Sequence, residues 1–280
     1  MSAPLNEPPE QTPPPPKVTA IVVSHNRAGM LRRCLDALEK SAGRGTIQAI
    51  VVENGSSDGS AQLETDYAGV QFIKLPKNFG LAKARNIGVR AAFGEYILFL
   101  HEDTEVEIDA IGLLAAKLDA EADVTAGCPL LVKSNGDPAP QVGPLPTPDA
   151  PFPPLRPAGD DAIESASGAA IMIRAFFFKA TRQIDERYGN YGVDAELCYQ
   201  IRRSNRRIAL VRAARVVHHA GREWSPMILA DRSLGAAAFF SKHLGFAAGL
   251  KFRIGALLRG LGSPSQFWFL IQGQKCDGGQ

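Results

Sequence analysis

Apolar and polar positions alternate along residues 18–132 in blocks that predict strands and helices in turn. Short runs of β-branched and aromatic residues, each bounded by polar residues, are typical of strands buried on both faces. They cover residues 18–24, 47–52, 70–75, 96–100 and 124–132. Apolar residues at helical spacing predict helices over residues 28–41, 80–92 and 108–119. Strands separated by single helices favour right-handed crossovers, and hence a mainly parallel sheet with helices on both faces.

The pattern changes beyond residue 157. It predicts short strands over residues 169–173, 208–211 and 215–217, a helix over 194–204, and a basic amphipathic helical region over 230–280. Proline marks the irregular parts, because 16 of the 20 prolines fall within residues 4–16 and 138–157. We therefore expect a disordered tail over 1–16 and one large domain over 17–229, which a proline-rich loop interrupts at 138–157. The helical region over 230–280 follows this domain.

Composition narrows the class of protein. A chain of 280 residues with 45% hydrophobic residues can bury a large core, which excludes a disordered or fibrous protein. A net charge of +2 does not create the strong positive field that favours nucleic-acid binding. The charge is unevenly spread, however, because residues 232–276 hold six Lys or Arg and no acid. The four cysteines lie too far apart for a zinc site or a disulfide framework. Without a signal peptide or a run of about 20 apolar residues, we expect a cytoplasmic protein.

Polar residues that end the predicted strands are the candidates for chemistry, because ligands bind at the carboxyl ends of parallel strands. Glu53 ends the second strand, where a carboxylate can accept from a base imide or from ribose hydroxyls, although residues 54–60 also read as a plain turn and helix cap. Lys83 and Arg85 lie near the start of a helix, which suits a phosphate or, alternatively, a solvated cationic face.

Six segments together resemble the family 2 glycosyltransferases, and among them the bacterial rhamnosyltransferase-type members. They are VTAIVVSHNR (18–27), IVVENGSSDGS (50–60), NFGLAKARNIGVRAAFGEYILFLHEDTEV (78–106), SGAAIMIR (167–174), IDERYGNYGVDAELCYQIR (184–202) and VVHHAG (216–221). The resemblance covers about residues 18 to 245. It implies the GT-A fold, an α/β architecture with a mainly parallel central sheet, and sugar transfer from a nucleotide-sugar.

The resemblance also implies roles for residues at the strand ends. Ser24, Asn26 and Glu53 would hold the nucleotide, with Glu in place of the more usual Asp. Lys83 and Arg85 would approach the diphosphate.

The family's metal motif reads His101-Glu102-Asp103 in this chain, with His101 where Asp or Asn is common. We expect Asp103 to bind Mn²⁺ or Mg²⁺, and His101 to contact the sugar or the ribose. Glu102 is a candidate for the nucleotide-sugar site, or an exposed charge.

The later segments supply the candidates for catalysis. Asp194 matches the family's catalytic base, with Val193 replacing the preceding Glu; without the resemblance it would read as a helix N-cap. His218 matches a histidine that reaches the metal or the diphosphate. Arg222 could screen the departing phosphates, and Trp224 suits sugar stacking and packing equally.

Three questions stay open at this point. A sugar-phosphate nucleotidyltransferase would have a similar sheet but a glycine-rich basic loop after the first strand, where this chain has Ser24 to Arg27. A non-catalytic nucleotide-sugar-binding protein is the other alternative. The basic C-terminal region fits an anionic membrane surface, packing on the catalytic domain, or a homodimer contact. We expect the donor to be a UDP-, dTDP- or GDP-linked sugar and the acceptor a glycan or lipid-linked glycan.

Overall fold

The computed structural model describes residues 15–159, 162–221 and 224–274. Ten strands are present in these residues: β1 (Val18–Ser24), β2 (Ile47–Glu53), β3 (Val70–Lys74), β4 (Tyr96–His101), β5 (Thr104–Val106), β6 (Val124–Val132), β7 (Val142–Gly143), β8 (Ser165–Ala166), β9 (Ala170–Arg174) and β10 (Arg207–His218). The helices are α1 (Ala28–Glu39), α2 (Leu81–Arg90), α3 (Ala110–Ala120), α4 (Ala175–Ala180), α5 (Val193–Arg203), α6 (Pro226–His243), α7 (Phe246–Gly260) and α8 (Pro264–Gln272). Short 3-10 turns cover Arg44–Thr46 and Gly59–Asp66.

Eight strands form one central sheet in the order β3-β2-β1-β4-β9-β6-β10-β5. β1 pairs in parallel with β2 and β4, and β2 with β3, so that four carboxyl ends meet at one edge. β9 is antiparallel to both β4 and β6, and β5 is antiparallel to β10. This mainly parallel α/β sheet confirms the expected architecture.

Helices cover both faces of the sheet. On one face, Leu31 and Leu35 of α1 and Leu114 of α3 pack against alternate residues of the central strands. On the other face, Ala84 of α2, Leu197 of α5 and Phe240 of α6 form a second apolar layer. Strands buried on both faces explain the continuous apolar runs in the sequence.

One expectation is corrected in detail. The predicted strands over 208–211 and 215–217 are one strand, β10, which changes register against β6 between Val211 and Arg215. In the predicted helical region over 230–280, the chain turns between α6 and α7 at Gly245, whose φ of 98° favours glycine. Helix α6 begins at Pro226 and so crosses the predicted boundary at 229/230; the domain division stays a prediction.

The proline-rich loop is fixed to the sheet at its start. Gln141 is 1% exposed; its Nε2 donates to the carbonyl of Pro129 and its Oε1 accepts from the N–H of Leu131. Strand β7 then pairs with β8, which holds the loop beside residues 165–166. The N-terminal tail lies outside the described residues up to residue 14. Among the helices that the structure describes, none has the length and apolar character needed to cross a bilayer.

Candidate active site

A cleft of about 670 Å³ lies at the carboxyl ends of β1 and β4. Its walls come from residues 23–27, 101–103 and 190–194, from His218, and from the start of α6. Of the residues expected in the site, the cleft brings together Asn26, His101, Glu102, Asp103, Asp194 and His218. This is the sheet edge at which the sequence predicts a ligand.

Three side chains in the cleft have the arrangement of a metal site. One ligand atom each from His101, Asp103 and His218 lies within 4.8 Å of the other two. The pairing of β5 with β10 explains this convergence, since it sets His218 directly opposite Thr104, the residue after Asp103. The N–H of His219 also donates to the carbonyl of Asp103 over 2.9 Å, which holds the two segments together.

The atoms of this group are suited to a cation. Nε2 of His101 and Oδ1 of Asp103 are buried, and neither has a hydrogen-bond partner among the described residues. Such atoms are costly unless a ligand satisfies them. Burial, together with the charge of Arg85, lowers the pKa of His101 to about 4, so that its ring is neutral at pH 7 and can donate a lone pair.

Asp103 is held as a carboxylate by its neighbours. Arg27 donates from Nη1 to Oδ2 over 2.7 Å, and Nε2 of His218 lies 3.5 Å from Oδ1. Burial alone would raise the pKa of Asp103, but His218, His101 and Arg27 outweigh burial and hold this pKa well below its ordinary value. Sequence reasoning missed Arg27, although its position directly after the polar end of β1 was a usable signal.

Asp194 lies at the start of α5 with both carboxylate oxygens hydrogen-bonded. Oδ1 accepts from Nη1 of Arg85 over 2.9 Å, and Oδ2 accepts from the N–H of Gly168 over 2.8 Å. A Cβ on residue 168 would lie 2.0 Å from Oδ1, so only glycine allows this approach. The side chain keeps 32% of its surface exposed, which leaves it accessible from the cleft.

Arg85, which the sequence predicts near a diphosphate, does not line the cleft. Its side chain is 1% exposed, its guanidinium lies 4.6 Å from the centroid of the Phe99 ring, and Nη2 donates to the carbonyl of Gly168 over 2.7 Å. These contacts direct Arg85 at Asp194. Lys83, the second expected phosphate ligand, also lies outside the cleft wall, with Nζ 4.3 Å from the centroid of the Phe79 ring.

The expected nucleotide-binding residues differ in their surroundings. Ser24 is fully buried at the end of β1, and its Oγ has no hydrogen-bond partner among the described residues. Glu53 is 3% exposed and its Oε1 accepts from the N–H of Ser56 over 2.8 Å, so it caps the turn after β2. Asn26 is exposed, has a φ of 54°, and accepts from the N–H of Ser57.

The remaining candidates are placed as follows. Glu102 is 6% exposed, with Oε1 3.9 Å from Nη1 of Arg27, so it is not an exposed charge. Trp224 is 61% exposed and stacks on Tyr191 at 6.5 Å between centroids. Arg222 lies outside the described residues. Asn54 and Asn78, hydrogen-bonded to each other over 2.9 Å, line the cleft and were missed by sequence reasoning.

The chain is similar to known proteins in both sequence and fold. The family model described as "Glycosyl transferase family 2" matches residues 19–182. An N-acetylglucosaminyltransferase of Mesorhizobium japonicum is 34% identical over 143 residues, which are 47% of this chain and 34% of that protein. The chain spans about a third or less of the length of the first curated relatives that it matches.

Two solved structures share the fold. GalNAc-T7, crystallised with UDP, GalNAc and Mn²⁺, has a TM-score of 0.69 at 16% identity and covers 94% of this chain and 55% of its own. Residues 1–349 of S. aureus TarS in complex with UDP-GlcNAc have a TM-score of 0.60 at 18% identity, with 92% and 78% covered. Identities this low speak for the fold alone, and they confirm the expected GT-A architecture.

Proposed function

Because the chain belongs to glycosyl transferase family 2, we propose that it transfers a sugar from a nucleotide-diphosphate-sugar donor to a hydroxyl acceptor with inversion at the anomeric carbon. The observation that carries this proposal is the cleft in which Asp194 faces the group formed by His101, Asp103 and His218. A general base and a site for a diphosphate are the two parts that such a reaction needs.

Asp194 acts as the general base in this proposal. It takes the proton of the acceptor hydroxyl as that oxygen bonds to the anomeric carbon of the donor. The bond from this carbon to the diphosphate oxygen breaks, and the diphosphate leaves with the electron pair. Support comes from the hydrogen bonds of Arg85 and Gly168, which fix the carboxylate in one orientation.

His101, Asp103 and His218 would hold a divalent cation, which would neutralise the charge of the departing diphosphate. The unsatisfied buried atoms of His101 and Asp103 support this assignment. Two imidazole nitrogens and one carboxylate oxygen favour Mn²⁺ over Mg²⁺, which prefers oxygen ligands and keeps several waters. In this proposal His101 is a ligand of the cation rather than a contact of the sugar.

The donor is proposed to carry UDP, with dTDP and GDP as the alternatives. The two structural neighbours described above were crystallised with UDP and with UDP-GlcNAc, and a third, a mannosyltransferase from Pyrobaculum calidifontis with a TM-score of 0.59, is in complex with GDP-Man and Mn²⁺. Ser24, Asn26, Glu53 and Glu102 lie in or beside the same sheet edge and stay candidates for the nucleotide. The likeness to rhamnosyltransferase-type members also stays a prediction.

The exposed face of α7 supports contact with an anionic membrane, where a lipid-linked glycan acceptor would be found. Four apolar residues of α7 follow one another at four-residue steps and are 44–74% exposed: Phe246, Leu250, Ile254 and Leu258. Trp268 of α8 is 57% exposed. Lys251, Arg253 and Arg259 flank this face, and residues 232–274 contain no acid. An apolar row with cations beside it is typical of a helix in the membrane interface of the cytoplasmic leaflet.

A panel of UDP-, dTDP- and GDP-sugars tests the proposed function. Calorimetry measures donor binding with Mn²⁺ or Mg²⁺, and release of the nucleoside diphosphate measures turnover with and without glycan acceptors. Transfer with one donor is the expected result. Binding without turnover would favour a non-catalytic nucleotide-sugar-binding protein, and synthesis of a nucleotide-sugar from a nucleoside triphosphate would favour a nucleotidyltransferase.

A further inference from the structure

A second cavity of about 190 Å³ adjoins the donor cleft on the side of the proline-rich loop. Pro144, Phe152 and Leu155 form its wall on the loop, and Gly235 and Phe239 form its wall on α6. Tyr191, Gly192 and Asp194 line both this cavity and the cleft. At about 30 Å³ for each water molecule, the cavity holds about six waters, enough for a small polar group.

The loop and α6 approach each other closely around this cavity. A Cβ on residue 235 would lie 2.5 Å from the carbonyl oxygen of Tyr191, so glycine lets α6 pack directly on the segment that leads into Asp194. Phe152 of the loop packs on Phe252 of α7, at 6.2 Å between ring centroids. The cavity is therefore built from three parts of the chain that the sequence separates widely, and it borders the carboxylate of Asp194.

Arg232 is the cationic side chain of this cavity. Its guanidinium lies 4.3 Å from the centroid of the Phe152 ring and 5.1 Å from that of Trp224. Within the described parts of the chain, no carboxylate or carbonyl accepts a hydrogen bond from it. Burial lowers the pKa of Arg232 from its ordinary value, yet an arginine stays protonated at neutral pH.

The guanidinium of Arg232 has aromatic neighbours but no hydrogen-bond acceptor within the described parts of the chain. Two aromatic rings stabilise the cation by cation–π contact. The N–H groups of the Arg232 guanidinium are partly shielded from water and have no acceptor among the described residues. This arrangement costs free energy unless a ligand supplies the acceptor. Asp194, the other charged residue of the described cavity wall, is already bonded to Arg85 and Gly168.

We propose that this cavity is the acceptor subsite and that Arg232 binds an anionic oxygen group of the acceptor, a phosphate or a carboxylate. This proposal rests on the proposed function, because it names the class of acceptor that would bind in the cavity beside Asp194. The planar guanidinium matches both groups with two parallel hydrogen bonds. The apolar walls exclude water from the remainder of the acceptor, whose hydroxyl reaches Asp194. That hydroxyl gives its proton to Asp194 and its oxygen to the anomeric carbon, while the diphosphate leaves.

Four probes test the charge requirement: three are derivatives of glucose, and one is a derivative of glucuronic acid, which is glucose with a carboxylate at C6. They are methyl α-D-glucoside, which is uncharged, α-D-glucose 1-phosphate, the methyl glycoside of glucuronic acid, and glucosyl dodecyl phosphate, whose phosphate belongs to a lipid. Each is titrated by calorimetry into the full chain saturated with UDP and Mn²⁺, so that the donor side is filled. The two phosphates separate a free source of the anion from a lipid-borne one.

Arg232→Met removes the charge and keeps an apolar side chain between the two rings. Lys17→Met is the matched control, since Lys17 also lies over a ring, that of Tyr96 at 5.9 Å, and lies outside the cavity wall. We expect the wild-type chain to bind at least one anionic probe about ten-fold more tightly than the uncharged one. Arg232→Met should abolish that preference, Arg232→Lys should keep part of it, and Lys17→Met should keep all of it.

Two outcomes would overturn the acceptor subsite: no preference for any anionic probe in the wild-type chain, or an unchanged preference in both Arg232 variants. Acceptor-independent release of nucleoside diphosphate, measured on the same proteins, keeps this result separate from the proposed function. A preference for anionic probes without any donor turnover would contradict sugar transfer and leave the anion site standing. Donor turnover without a preference for anionic probes would support sugar transfer and contradict the anion site.

Discussion

Arg85 donates a hydrogen bond to Asp194 over 2.9 Å, although 109 residues separate them along the chain. The guanidinium is almost fully buried, and its second nitrogen donates to the carbonyl of Gly168, whose own N–H donates to Asp194. The three residues thus form a closed set of hydrogen bonds around one carboxylate. Its effect is to fix the orientation of the proposed base before an acceptor binds.

Replacing Arg85 with lysine tests this arrangement. Lysine keeps the charge but cannot reach both Asp194 and Gly168 with a planar fork, so the carboxylate loses its fixed orientation. We expect kcat to fall by about 100-fold, with little change in the KM of the donor. Arg90→Lys is the control, because Arg90 is an exposed residue of the same helix that bonds Gln183. Equal kcat values for the two variants would contradict a positioning role.

Binding of Mn²⁺ tests the group of His101, Asp103 and His218. Removing one ligand should weaken Mn²⁺ binding by on the order of 100-fold, measured as free Mn²⁺ by electron paramagnetic resonance. His101→Ala and His218→Ala are the informative variants, and Mg²⁺ should bind the wild-type chain more weakly than Mn²⁺. His25→Ala serves as the control, because His25 lines the same cleft but lies outside the group. Unchanged affinity in His101→Ala would assign the metal to other ligands.

A buried ionic network ties α6 to the helix of Asp194, and it predicts a pH dependence of stability. Glu196 is 3% exposed; it accepts from Tyr188 and Gln200 and pairs with Lys242 and His243 at 2.8 and 2.6 Å. Burial alone would raise its pKa, but these four partners outweigh burial and lower it. A lowered acid pKa stabilises the folded state above the unfolded pKa, and the stabilisation is lost as pH falls through the folded value.

Glu196→Gln should therefore reduce the free energy of unfolding by about 2 kcal/mol at pH 7, because it removes the negative charge that pairs with Lys242 and His243. The difference from the wild-type chain should shrink as the pH falls from about 5, through the ordinary pKa of a glutamate and then through the lowered pKa of folded Glu196. Urea unfolding over that range measures it. Glu64→Gln, at an exposed pair with Lys74, should show almost no difference at any pH. A difference for Glu196→Gln that does not depend on pH would count against the network.

Vesicle binding tests the exposed face of α7. The full chain should float with vesicles of phosphatidylglycerol and not with vesicles of phosphatidylcholine, and salt should weaken the binding. Replacing Ile254 and Leu258 together with glutamate should abolish flotation, whereas glutamate at Leu113, an exposed residue of α3, should not. A stable pair of chains in light scattering, with no vesicle binding, would instead assign this face to a homodimer contact.

The sequence predicted the sheet well because strands buried on both faces leave continuous apolar runs, such as those of β1 and β6. It also singled out His101, Asp103, Asp194 and His218, which lie at strand ends or at the start of a helix and line one cleft; their roles stay a prediction. It could not show that Arg85 is buried against Asp194, because the burial and the hydrogen-bond partners of Arg85 depend on contacts with residues more than 80 positions away. The cavity beside Arg232 was hidden for the same reason: proline content predicts an irregular loop but not what the loop packs against.

The central claim is that Asp194 is the base of a sugar transfer, and Asp194→Asn tests it most directly. Asparagine keeps the shape of the side chain and can still accept from Arg85, so donor binding measured by calorimetry should stay within a few-fold of the wild-type value. Transfer should fall by about 10²- to 10⁴-fold, because the amide cannot take the proton of the acceptor hydroxyl. A variant that binds the donor and transfers the sugar at the wild-type rate would contradict this mechanism.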